Sequence, residues 1–204
     1  MDTSEFLFDG SADAPLTLVL AHGAGGPMRS AFLQKMARGV AEGQTRVARF
    51  EFPYMRERRK VPDKEPVLRE SWLSAIEFLG GGKRVVIGGK SMGGRIASMV
   101  AEEAGVRGLV CLGYPFHPPG RPDKLRTKHL ETLATPALIV QGTRDPFGSR
   151  EDVAGYALSK SIRIAWIEDG DHSFKPRASS GRTEAGNLQE AIALVRGFLE
   201  KELP

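Results

Sequence analysis

The stretch Val85-Val86-Ile87-Gly88-Gly89-Lys90-Ser91-Met92-Gly93-Gly94-Arg95 decides how the chain is read. A short run rich in β-branched residues gives way to glycines around a single serine. Arg95-Ile96-Ala97-Ser98-Met99-Val100-Ala101-Glu102-Glu103-Ala104 follows, so the order is strand, sharp turn, helix. Gly89-Lys90-Ser91-Met92-Gly93 has the G-x-S-x-G arrangement of a nucleophile elbow. The chemistry accounts for the glycines. A tight turn holds the serine backbone in a strained conformation and lifts its hydroxyl beyond the strand end. Neighbours without a Cβ let strand and helix approach each other. The start of the helix then points free N–H groups at any oxyanion formed there. The pentapeptide alone also fits an ordinary strand-to-helix turn with Ser91 as N-cap, and its flanks favour the nucleophile.

At 204 residues the chain has the length of one domain, 1–204, able to bury a sizeable core. A hydrophobic content of 41% with 26% charged residues is that of a soluble globular protein. No apolar run approaches the roughly 20 residues that span a bilayer. The acidic start Met1-Asp2-Thr3-Ser4-Glu5 carries no cleavable leader pattern, which makes a cytoplasmic location the expectation. The lone cysteine, Cys111, excludes an internal disulfide and a cysteine metal site, and its place in Leu109-Val110-Cys111-Leu112 assigns it to packing. The basic cluster Arg56-Glu57-Arg58-Arg59-Lys60 is interrupted by an acid and lacks stacking aromatics, so it reads as a solvated loop and not as a nucleic-acid surface.

Along the chain, strand-like runs occur at Phe6–Phe8, Leu16–Ala21, Arg46–Phe52, Val85–Lys90, Gly108–Leu112, Ala137–Gln141 and Ile162–Ile167. Continuous apolar runs of this kind belong to parallel sheets covered on both faces. The partial alternation of Arg46–Phe52 places it nearer an edge. Helical spacing marks Ser30–Glu42, Val67–Leu79, Glu151–Leu158 and the last stretch through Leu188, Ile192, Val195 and Leu199. The expected architecture is α/β, a mostly parallel central sheet with helices on both faces. Gly113–Thr135, rich in proline and charge, has the character of a functional loop and is too short for a helical lid domain. A dinucleotide fold is disfavoured, because Met28 and Arg29 stand where the later glycine of G-x-G-x-x-G would fall.

A nucleophilic serine needs a base, and the base needs an orienting carboxylate. In open parallel sheets these groups lie just beyond the carboxyl ends of strands. Asp145 follows Ala137–Gln141, and His172 follows Ile162–Ile167, giving the chain order Ser91, Asp145, His172. Asp169 and Asp171 compete as the acid, although neighbours of His172 are poorly placed to reach its Nδ1. Asp145 before Pro146 also fits a plain turn. His22, His117 and His129 are less suitable bases. Two oxyanion donors are expected from the backbone of Met92 and of Ala24, with Gly25 in reserve.

With these segments, Leu20–Gly26, Gly88–Arg95, Gly113–Gly120, Gln141–Gly148 and Asp171–Phe174, the chain resembles the α/β-hydrolase superfamily over nearly its full length. It is similar to the small lidless branch related to dienelactone hydrolase. Tyr114-Pro115-Phe116-His117-Pro118-Pro119-Gly120 resembles more closely the hydrolase-like domain of testis-expressed protein 30 and of an NSL chromatin complex subunit. The resemblance implies a minimal α/β-hydrolase fold without a lid. It also implies serine-dependent cleavage of a small ester or thioester at Ser91, Asp145 and His172, without metal or cofactor. Serine stands here where dienelactone hydrolase has cysteine. A binding or scaffold protein that keeps the hydrolase fold without turnover is the alternative.

Overall fold

A computed structural model describes residues 1–203. The apolar runs become β1 (Phe6–Asp9), β2 (Leu16–Ala21), β3 (Thr45–Phe50), β4 (Val85–Lys90), β5 (Gly108–Leu112), β6 (Ala137–Gly142) and β7 (Ile162–Ile167). The helices are α1 (Ala31–Ala41), α2 (Pro53–Arg56), α3 (Glu65–Phe78), α4 (Met92–Val100), α5 (Arg150–Val153) and α6 (Glu184–Lys201). The seven strands form one sheet in the order β1-β3-β2-β4-β5-β6-β7. Only β1 runs antiparallel, against β3, and the other neighbours are parallel. This is the mostly parallel, lidless α/β-hydrolase sheet expected from the sequence. The chain leaves β2 for β3 on one side and returns to β4 on the other, so a crevice opens beyond β2 and β4.

Both faces of the sheet are covered, which is why its strands are apolar without a gap. Val85 and Ile87 of β4 join Leu68, Trp72 and Ala75 of α3 and Ile96, Ala97 and Val100 of α4 in one core cluster. Val86, between them, points the opposite way, toward Leu33, Met36 and Val40 of α1 and Ile192, Val195 and Phe198 of α6. Among the described residues no helix is long and apolar enough to cross a membrane. Cys111 is free and buried, and burial pushes its thiol up.

Several boundaries differ from the sequence reading, each for a local reason. β3 ends at Phe50 and lies second from the sheet edge, near the edge as read, with β1 outside it. Its Arg49 is buried, donating through its two terminal nitrogens to Asp9 Oδ2 at 2.7 Å and to the Met28 carbonyl at 2.9 Å. α3 starts two residues early, at Glu65, with Pro66 in its first turn where its missing N–H costs nothing. α4 begins at Met92 and closes through Gly105, whose N–H bonds Glu102 O while Val106 N–H bonds Ala101 O. The helix read over Glu151–Leu158 shrinks to α5. A Ser149–Asp152 capping box starts it, and the chain then turns through Gly155 so that Tyr156 packs on Phe116.

Gly113–Thr135 starts as an inward-facing segment, buried through Gly113–His117, and comes to the surface over residues 119–125. Tyr114, Phe116, Leu130 and Leu133 are buried in the core. In the basic cluster Arg56–Lys60, Arg56 pairs with Glu5 and Arg59 with Glu57 and Asp63.

Trp72 links this packing to the elbow. It is fully buried, meets Phe50 edge-on at 4.8 Å, and its Nε1–H donates to Gly93 O at 3.3 Å. Trp72→Ala is expected to cost about 3–5 kcal/mol in urea unfolding, and Trp72→Phe clearly less. A loss below about 1 kcal/mol for the alanine variant would show that the site does not depend on this contact.

Candidate active site

The site begins with the backbone of Ser91. Its φ of 50° and ψ of −115° lie in a region that residues with a Cβ seldom adopt, at a cost of about 1–3 kcal/mol. Ser91 N–H donates to Leu112 O at 3.1 Å, and Ser91 O accepts from Arg95 N–H at 3.0 Å, so the strained residue is pinned on both sides. Gly93 is glycine of necessity, since a Cβ there would lie 2.5 Å from the Ala21 carbonyl oxygen. Ser91 does occupy the N-cap position of α4, but its side chain makes no cap hydrogen bond. Its Oγ points away from the helix instead, 2.9 Å from His172 Nε2.

His172 comes from the loop between β7 and α6. Its Nδ1 lies 2.7 Å from Asp145 Oδ2, and its ring packs at a tilt of 32° against Phe147, 4.2 Å between centroids. Asp145, in the turn after β6, has 0% exposure. Its Oδ2 also accepts from Gln141 Nε2 at 2.9 Å, and its Oδ1 from Phe147 N–H at 2.9 Å. With Nδ1–H donating to the carboxylate, Nε2 is left as the acceptor facing the serine hydroxyl. The structure therefore brings Ser91, His172 and Asp145 into one hydrogen-bonded line.

The competing acids are engaged elsewhere. Asp171 accepts the N–H groups of Ser173 and Lys175. Asp169 bonds the Arg177 side chain and backbone and faces Arg144, and these partners hold its carboxyl below the usual carboxylate range.

The other histidines hold loops. His22 is buried, accepting Phe52 N–H at Nε2 and contacting Gly23 O through Nδ1, and burial lowers its pKa. His117 sits against Pro118 O. His129 makes a second serine contact, Nε2 to Ser98 Oγ at 2.8 Å. That pair differs in kind. Ser98 lies inside α4 with 3% exposure and spends its proton on Arg95 O at 2.6 Å, so His129 must donate to it. Tyr114 OH completes the cluster, tying Gly113–Thr135 to α4.

A cavity of about 370 Å³ opens over Ser91 and His172. Gly23–Gly26, Ser30, Phe32, Leu33, Lys90 and Phe147 complete most of its wall, and no residue of Gly113–Thr135 lines it. The turn after β2, expected at the site, and the start of α1 supply that wall, while the proline-rich segment read as a functional loop does not. Ala24 and Gly25 are in that wall. The Ala24 carbonyl is held by Tyr54 OH at 3.1 Å, and burial first of all raises the Tyr54 pKa to about 12. Neither the Ala24 nor the Met92 N–H has an acceptor among the described residues. No group of three His, Cys, Asp or Glu side chains among those residues is arranged to hold a metal ion.

Sequence reasoning missed Gln141 and Lys90. Gln141, fully buried, bonds Asp145 Oδ2, Tyr114 O and Gly148 O through Nε2, and accepts Tyr114 N–H at 2.7 Å. Its only signal was a polar residue closing the apolar run Ala137-Leu138-Ile139-Val140.

Residues 14–200 match the family described as the alpha/beta hydrolase domain. Among solved structures the chain is similar to an alpha-beta serine hydrolase homologue from Coxiella burnetii, at 19% identity and a TM-score of 0.73 over 95% of this chain and 90% of that one. It is similar to an a/b serine hydrolase without lid from Xanthomonas campestris, at 19% and 0.70 over 93% and 88%. It is also similar to dienelactone hydrolase from Anabaena variabilis, at 21% and 0.69 over 93% and 88%. These likenesses speak for the fold.

Gln141→Leu would leave a buried carboxylate oxygen and three backbone groups short of partners. The expected result is a loss of about 3 kcal/mol in stability, with Gln141→Glu no better, since it sets a second carboxyl against Asp145. Urea unfolding checks both, and an unchanged midpoint would contradict this account of how Asp145 is held.

Proposed function

The chain belongs to the alpha/beta hydrolase domain family, and from that membership we propose that it is a serine hydrolase of small carboxylic esters or thioesters. One observation supports this reading above the rest: the hydrogen-bonded run from Ser91 Oγ through His172 to the buried Asp145, at the floor of an open cavity. In this reading residues 1–204 work as a single hydrolase domain. Ser91 Oγ attacks the ester carbonyl carbon while His172 Nε2 takes the hydroxyl proton. The carbonyl electron pair moves onto oxygen, where the N–H groups of Met92 and Ala24 stabilise it. The tetrahedral adduct collapses, and the protonated imidazole gives its proton to the departing alcohol or thiol. Water then repeats the sequence on the acyl-enzyme and releases the acid. Asp145 holds the imidazole in the required tautomer and stabilises it while charged.

The strained Ser91 backbone belongs to this chemistry. It presents Oγ at the cavity floor beside the first N–H groups of α4, so nucleophile and oxyanion donors are set before substrate arrives. Phe32, Leu33 and Phe147 offer a short apolar wall, which suits small acyl groups better than long chains.

Hydrolysis of p-nitrophenyl acetate tests the proposal. Ser91→Ala is expected to remove turnover, and Asp145→Asn to lower kcat by about four orders of magnitude, with Asp171→Asn far milder. An Asp171 effect larger than that of Asp145 would overturn the assignment.

A further inference from the structure

Lys90 immediately precedes the nucleophile and lines the same cavity. Its ammonium donates to the main-chain carbonyl of His172 and lies 5.6 Å from the centre of the Phe32 ring. An ammonium carries three donors, and among the described residues no second acceptor and no carboxylate within 4.0 Å is found for this one. No acidic side chain lines the cavity. The acids whose fields reach Lys90 are Asp145, already committed to His172, and Asp171, committed to its own turn. The start of α1, capped by Ser30, adds the partial positive charge of a helix N-terminus to the same wall. The cavity thus holds a cationic group with spare donors and no counter-ion of its own.

We propose that Lys90 makes this cavity selective for esters whose acyl chain ends in a carboxylate, which pairs with the ammonium while Ser91 attacks the ester carbonyl. The proposal rests on the hydrolase reading above. A carboxylate fits better than a phosphate. One ammonium neutralises one charge, and the neighbouring Phe32, Leu33 and Phe147 would leave further anionic oxygens without donors. Pairing inside a half-enclosed, partly apolar cavity is screened less than on the open surface, so a single contact can set a preference.

The protonation state of Lys90 gives the preference a signature. Burial lowers its pKa to about 8, against the opposing pull of Asp145 and Asp171. The ammonium is therefore present below that pH and lost above it.

The experiment compares mono-4-nitrophenyl esters of glutaric, adipic and pimelic acids with the pentanoate, hexanoate and heptanoate, in which a methyl replaces the carboxylate. At pH 7 the wild-type protein is expected to favour the half-ester by about tenfold or more in kcat/KM at one chain length. That ratio should shrink as the pH rises through about 8 to 9.5. Lys90→Met should bring the ratio to about one or below. A wild-type ratio near one at every length overturns the proposal. So does a Lys90→Met variant that slows both esters equally with its ratio intact, because Lys90 would then only position His172 through its carbonyl. Should Lys90→Met fail to fold, the wild-type pH series decides, and a ratio that stays constant through pH 9.5 overturns the proposal. Failure of the hydrolase reading is distinct: neither ester of any pair would be turned over.

Discussion

The buried carboxylate of Asp145 is the constraint on which the rest of the site depends. A carboxylate with no exposure is tolerable only when donors surround it. Here the donors come from three parts of the chain: Gln141 at the end of β6, the Phe147 amide in the following turn, and His172 from beyond β7. Satisfying Asp145 therefore sets the orientation of the imidazole. Gln141 then carries the same network to Tyr114 and Gly148, so the segment after β5 and the turn after β6 are locked to one amide. The fold beneath the site is a consequence of burying apolar strands on both faces. The fold above it is a consequence of feeding one charge with enough hydrogen bonds.

The second half of the site is steric. β2 and β4 lie side by side, with Ala21 opposite Gly89, and α4 starts so close to them that a Cβ on Gly93 would clash with the Ala21 carbonyl. This crowding holds Ser91 in its strained conformation, and Trp72 closes the space behind it. Gly113 shows the same economy of space on the other side. Its φ is 66°, and a Cβ there would come within 2.8 Å of Lys90 Nζ and 2.7 Å of His172 O. Elbow, base loop and the end of β5 meet at a point where no side chain fits, so a shift in one is felt by the others.

The sheet was legible in the sequence because two-sided burial writes itself as uninterrupted runs, such as Leu109-Val110-Cys111-Leu112. Helix limits were less legible, since they depend on caps. The pattern over Glu151–Leu158 looked helical, yet the chain leaves the helix to seat Tyr156 on Phe116, a contact with a residue forty positions away. Ser91, Asp145 and His172 were readable because each follows a strand, and strand ends converge. Gln141 and Lys90 were not. Their partners at Tyr114 and His172 stand 27 and 82 positions off, and nothing local distinguishes a glutamine or lysine at a strand end from a solvated one. Gly113–Thr135 read as a functional loop, but Tyr114 and Phe116 bury its first part in the core and it does not line the cavity.

The central claim is that Ser91 forms a covalent acyl-enzyme, and Ser98, with its own histidine contact, does not. Mass spectrometry of the protein after reaction with a fluorophosphonate tests this directly. Trypsin cuts after Lys90, Arg95 and Arg107, which places Ser91 in Ser91–Arg95 and Ser98 in Ile96–Arg107. The account expects a single adduct, carried by Ser91–Arg95. An adduct on Ile96–Arg107, or no adduct under conditions that label other serine hydrolases fully, would contradict it.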